Sequence, residues 1–138
     1  MRAFIDTSSL FKKYVDEQGA DTFDALLLSV SEIIISPITL LEVNSIIERR
    51  LREKTLDTVD AAWIEKEFMQ DLKFYGVVEF NENLNSECIR VIRKYQMKVL
   101  NGIQLSSAIV AQPDVFIVSD KQLYNTAVKE LKRVEFVG

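Results

Sequence analysis

The stretch 98-KVLNGIQLSSAIVA-111 admits two opposite readings. Its Asn101-Gly102 pair is the only Asn-Gly in the chain, and that dipeptide is the strongest short signal for a tight hairpin. Ile103, Leu105, Ala108, Ile109 and Ala111 follow it at helical spacing instead. On the helical reading Asn101 is a polar residue at a helix start, able to cap it. The pattern on either side decides between the two.

Downstream, DVFIVS (114–119) is a β-branched run suited to a buried strand, followed by a helical DKQLYNTAVKEL and a short strand in RVEFV. Upstream, MRAFID, EIIIS and VVEF are further strand candidates. Helical segments separate them: SSLFKKYVDE, ADTFDALLLSV, ITLLEVNSIIERRLREK after Pro37, TLDTVDAAWIEKEFMQDLKFY with a cap at Thr55 or Asp57, and NENLNSECIRVIRKYQ. Strands alternating with helices predict right-handed crossovers and a mainly parallel sheet of four to five strands covered on both faces. In that order the opening stretch is a crossover helix, not a hairpin. No repeat or linker divides the 138 residues, so a single domain spanning 1–138 is expected.

Composition narrows the chemistry. The chain has no histidine, which removes Ser-His and Cys-His nucleophilic schemes. A single cysteine, Cys88, gives neither an internal disulfide nor zinc spacing, and its apolar helical neighbours place it in the core. A net charge of −4 argues against an overall electrostatic grip on nucleic acid, while leaving room for acids gathered around a cation. No apolar run is long enough to cross a bilayer and no leader is visible, so a cytoplasmic protein is expected.

In parallel sheets, ligands bind beyond the carboxyl ends of the strands. Asp6 follows RAFI and Asp120 follows VFIVS, each opening a helix. Either acid alone reads as a helix cap at the favourable end of the dipole. Two on one sheet edge point further, since converging carboxylates share a proton or hold a cation. On periodicity alone Glu42 reads as a solvated acid near Arg49, and ERRLREK (48–54) as a solvated face or a phosphate-contacting patch. Trp63, Phe68, Phe74 and Tyr75 read as packing residues rather than base-stacking ones.

Four segments in register, FIDTSSLFKKY, SPITLLEVNSIIERR, LNGIQLSSAIV and VFIVSDKQLYNTA, give the chain a specific likeness. It resembles the PIN-domain nucleases, and among them the compact toxins of VapBC-type toxin–antitoxin pairs. The resemblance implies a three-layer α/β/α fold with an acidic quartet at the carboxyl edge of the sheet. Carried over by position, the first acid is Asp6, the second Glu42 and the fourth Asp120. The third, normally an aspartate in a context like L-D-A-(I/L)-x-L-A-x-A, is Asn101 here. This chain's context is L-N-G-I-Q-L-S-S-A.

What the resemblance implies is a Mg²⁺- or Mn²⁺-dependent endoribonuclease, with Asp6 and Asp120 as the main metal-holding pair. Asn101 would offer an oxygen, and Glu42 would position or deprotonate the attacking water. It also implies a homodimer, neutralised by an antitoxin segment in a hydrophobic groove near the site. An amide in place of the third carboxylate removes a charge worth about 4 kcal/mol at ~4 Å and an effective dielectric near 20, before desolvation. Weakened metal binding and activity are therefore expected, whether the asparagine is a natural departure or an inactivating replacement. The rival reading is a catalytically decayed PIN-like module that binds protein or RNA. A phospho-acceptor receiver, which carries two acids after its first strand, does not match the single acid of FIDTSS.

Overall fold

The structure, a computed structural model, describes residues 1–138. Its elements run β1 (Arg2–Ile5), α1 (Thr7–Phe11), α2 (Ala20–Leu27), β2 (Glu32–Ile35), α3 (Thr39–Arg52), α4 (Thr58–Leu72), β3 (Gly76–Val77), α5 (Glu82–Tyr95), α6 (Val99–Ala111), β4 (Val115–Val118), α7 (Lys121–Ala127) and β5 (Val134–Phe136). All five strands pair in parallel in the order β3-β2-β1-β4-β5. The expected three-layer α/β/α architecture is what forms.

The layers follow from strand alternation. Ala3, Ile5, Ile35, Val115 and Ile117 point to one face, where they pack with Phe11, Phe23, Val43, Ile47, Ile64 and Phe68 from α1 to α4. Phe4, Ile34, Phe116 and Val118 point to the other, against Val91, Leu105, Ala108, Leu123 and Ala127 from α5 to α7. Every residue of β4 is buried, so it reads as a continuous apolar run, as expected for a strand covered on both faces.

The Asn-Gly stretch is a helix, and its glycine serves packing rather than a turn. A Cβ built at Gly102 would lie 2.8 Å from Ile92 Cγ1 and 3.5 Å from Cys88 Sγ, so only glycine lets α6 approach α5 this closely. Helix α6 is then buried almost all round from Gly102 to Ala108. Its N-cap residue is Lys98, with no side-chain cap, so Asn101 lies inside the first turn and does not cap the helix. The turn-like feature sits just before it, where Gln96 ends α5 with φ +54°.

Several other expectations are corrected. Helix α1 stops at Phe11 instead of reaching Glu17, because residues 12–19 run as turns that bring Lys12 Nζ to the Gln18 carbonyl at 2.6 Å. Phe68 packs as expected, whereas Trp63 (52% exposed) and Phe74 (84%) lie on the outer side of α4 and past its end. Cys88 is half-buried. Asp57 caps α4, accepting the Asp60 N–H. No helix is long and apolar enough to cross a membrane.

Candidate functional site

Strand order reverses between β1 and β4: from β1 the chain steps outward to β2 and β3, then returns to β4 and steps the other way to β5. The connections leaving β1 and β4 lie on opposite faces, which opens a crevice at the carboxyl ends of those two strands. Asp6 and Asp120 flank that crevice. Both are helix caps, as the sequence suggests for each acid taken alone. Asp6 Oδ1 accepts the Ser9 N–H at 2.9 Å, and Asp120 Oδ1 accepts the Leu123 N–H at 2.7 Å.

Their environments differ. Asp6 is 3% exposed, and its Oδ2 accepts a longer hydrogen bond from the Ser119 N–H, 3.4 Å away. Burial pushes the Asp6 carboxyl up to about 6; hydrogen bonds from Ser9 and Ser119 pull against that, and the Asp120 charge adds to it. Asp120 is exposed and its second oxygen has no protein partner. Ser9 and Ser119, whose hydroxyl oxygens are 2.7 Å apart, lock α1 to the end of β4 beneath the pair.

Glu42, in the first turn of α3, is not the solvated acid that periodicity suggests. It is half-buried, and its Oε1 accepts two hydrogen bonds, from Thr7 Oγ1 and from Gln104 Nε2, each 2.7 Å long. Thr7 directly follows Asp6, so consecutive residues link the aspartate pair to Glu42. Beside Glu42 a cleft of about 450 Å³ is lined by Thr7, Ser8, Ile38, Leu41, Ser45, Ile46, Arg49 and Leu100.

Asn101 is half-buried in the first turn of α6. It faces a polar recess of about 340 Å³ that it shares with Gln96, Lys98, Gln122 and Thr126, and its side chain makes no hydrogen bond. The amide is thus free to bind something else. No three of the chain's aspartate, glutamate or cysteine side chains converge closely enough to hold a metal ion by themselves. The oxygen groups expected from the sequence therefore fall in three places: Asp6 and Asp120 at the crevice, Glu42 at the cleft on α3, and the Asn101 amide in its own recess on α6. Oxygen-only donors with few direct carboxylates suit a hard, well-hydrated cation such as Mg²⁺ or Mn²⁺, and the mutual charge of Asp6 and Asp120 is relieved by one.

Sequence reading overlooked the residues that arrange these groups: Thr7, Ser9, Ser119 and above all Gln104. A buried amide between Ile103 and Leu105, one turn beyond Asn101, was the available signal for Gln104.

A family model described as PIN domain matches residues 3–129. Among curated proteins none matches. Several solved structures share the fold. VapBC2 from Rickettsia felis, bound to a promoter DNA fragment, superposes with a TM-score of 0.71 at 12% identity, over 99% of this chain and 98% of that one. FitAcB from Neisseria gonorrhoeae gives 0.69 at 12% identity over 99% and 96%. A toxin–antitoxin complex from Klebsiella pneumoniae gives 0.65 at 16% identity over 88% and 89%.

Proposed function

The chain belongs to the PIN-domain family, and from that premise we propose that it is a divalent-metal-dependent endoribonuclease, the toxin of a toxin–antitoxin pair. The observation that carries the reading is the pairing of buried Asp6 with Asp120 at the switch point of a parallel sheet. Asp6, Asp120 and the Asn101 amide oxygen are the groups that would hold Mg²⁺ or Mn²⁺. A bound ion of this kind supplies a water of lowered pKa and neutralises charge growing on the phosphodiester.

The protein's own contribution is orientation and proton handling. Asp6 is pinned by the Ser9 and Ser119 N–H groups, so its carboxylate is pre-placed rather than ordered on binding. Glu42 is held through Oε1, while Oε2 has no protein partner and is not buried, which leaves it free to take a proton from water. Asn101 offers an oxygen without a charge, so this chain holds the cation weakly and Asn101→Asp should strengthen the site.

RNA cleavage with and without Mn²⁺, by this chain and by Asn101→Asp, tests the reading. Metal-dependent cutting that is faster for the aspartate version is expected. An aspartate version that neither binds Mn²⁺ more tightly nor cuts RNA sinks it.

The partner we propose is an antitoxin, in keeping with the complexes that share this fold. The cleft beside Glu42, whose wall includes Leu41 (70% exposed) and Leu100 (54%), would take one of its segments. A homodimer acting in the cytoplasm completes the proposal. The second reading, a non-catalytic PIN module, draws on the same Asn101 and on the lack of three converging acids. Loss of metal binding in both versions, with a tight protein partner retained, would favour it.

A further inference from the structure

We propose that Gln104 is a positioning residue for Glu42, fixing that carboxylate by one oxygen so that the other is presented to the cleft. The inference rests on the nuclease reading for its chemistry and on side-chain geometry for its mechanics. Gln104 Nε2 bridges two acceptors, Thr7 Oγ1 at 3.0 Å and Glu42 Oε1 at 2.7 Å. The Thr7 hydroxyl donates its own hydrogen bond to the same Oε1 at 2.7 Å. The Gln104 N–H to Thr7 and the Thr7 O–H to Glu42 thus form a chain ending on Oε1, and hydrogen bonds linked in a chain strengthen one another.

The orientation of the amide follows from chemistry. A carboxylate cannot donate, so the group 2.7 Å from Glu42 Oε1 must be the NH₂; a flipped amide would set two acceptors against each other. That orientation leaves Gln104 Oε1 as the only buried side-chain polar atom in the protein without a partner. An orphaned buried acceptor is destabilising, and a methionine or leucine would fill the same space without one. Packing alone does not account for glutamine at a position 3% exposed between Ile103 and Leu105. Its return is at Glu42, which it ties from α6 to α3, one turn away from Asn101 on the same helix.

The test compares Gln104→Met, which keeps volume and removes both donors, with Gln104→His, which restores one N–H donor, each in the Asn101→Asp background. For Gln104→Met we expect kcat to fall about tenfold or more, as for a misplaced reacting group, with KM and Mn²⁺ affinity nearly unchanged. Its Tm should stay level or rise, and Gln104→His should recover part of the rate. Full kcat in Gln104→Met overturns the proposal; so does a rate loss matched by a fall in Tm, which would mark a purely structural residue. If the parental Asn101→Asp protein cuts no RNA, the nuclease reading fails instead, and the bridge is judged from the side-chain amide NMR signals of Gln104. Signals that move on Glu42→Ala support it, and signals unmoved by that change overturn it.

Discussion

Asp6 and Ser119 stand across the seam between β1 and β4, with the Ser119 N–H reaching Asp6 Oδ2 at 3.4 Å. The weakness of that bond matters. Asp6 is nearly sealed from water, its stronger support comes from Ser9 alone, and another acid lies close by. The molecule holds a carboxylate where a neutral group would be more comfortable, a common compromise between stability and function.

A pH dependence follows. The Asp6 carboxyl is raised from 3.8 to about 6 on folding, so the metal-free folded protein binds this proton more tightly than the unfolded chain does. The contribution of Asp6 to stability is therefore greatest at low pH, falls as pH rises from about 4 to about 6, and is flat above. Asp6→Asn mimics the protonated form and keeps a capping oxygen. Urea unfolding should show it more stable than the parent by about 3 kcal/mol at pH 7.5, with the gain fading toward pH 4.

Adding a carboxylate at Asn101 should reverse the balance in the presence of metal. Asn101→Asp alone adds a negative charge to the recess between α6 and α7 and, on the proposed reading, should lower Tm in chelator at neutral pH. Mn²⁺ at about 100 times its Kd should then stabilise the variant by about 2.7 kcal/mol, read as a concentration-dependent rise in Tm. The parent, lacking that charge, should respond much less at the same concentration.

Gly102 offers a packing test that does not depend on function. Alanine there gains helix propensity, about 1 kcal/mol, but sets a methyl 2.8 Å from Ile92 Cγ1, and such overpacking costs about 1–3 kcal/mol. The net expectation for Gly102→Ala is a loss of about 1 kcal/mol in chemical denaturation. Pairing it with Ile92→Ala should relieve the clash, so the two changes should be less than additive.

Tyr14, 8% exposed, donates to Asp71 Oδ2 at 2.8 Å, and its hydroxyl oxygen lies 3.0 Å from that of Tyr75. Lys13 reaches the same Asp71 oxygen at 2.5 Å, so these side chains tie the end of α1 to α4 and the neighbouring Tyr75. Tyr14→Phe leaves Asp71 its lysine and should cost only about 1 kcal/mol. Metal affinity should be unaffected, since the change lies in the turn beyond α1, away from Asp6.

Much of the fold was legible because its signals are local. β-branched runs marked the strands, 3.6-residue periodicity marked the helices, and their alternation prescribed a parallel sheet. The acids at the ends of β1 and β4 were legible for the same reason, since a strand followed by a capped helix leaves its own imprint. What stayed hidden were relations between distant residues. Glu42 looked solvated because periodicity describes a helix against water and is blind to the Thr7 and Gln104 donors that meet it from two other elements. Trp63 and Phe74 looked like core because hydrophobicity does not say which face of α4, or which side of the turn after it, finds a neighbour.

The Asn101-Gly102 pair divides along the same line. Sequence order and spacing by themselves determined that it begins a helix in a crossover; that Asn101 falls at the third acidic position is what the family resemblance implies. Only the tertiary structure decided what each residue does there: Gly102 admits α5 to close contact, and Asn101 turns an unpartnered amide into a polar recess. Local patterning fixes backbone conformation through short-range sterics and burial. Donors, charges and close approaches are set by residues up to about a hundred positions apart, which only the packed chain brings together.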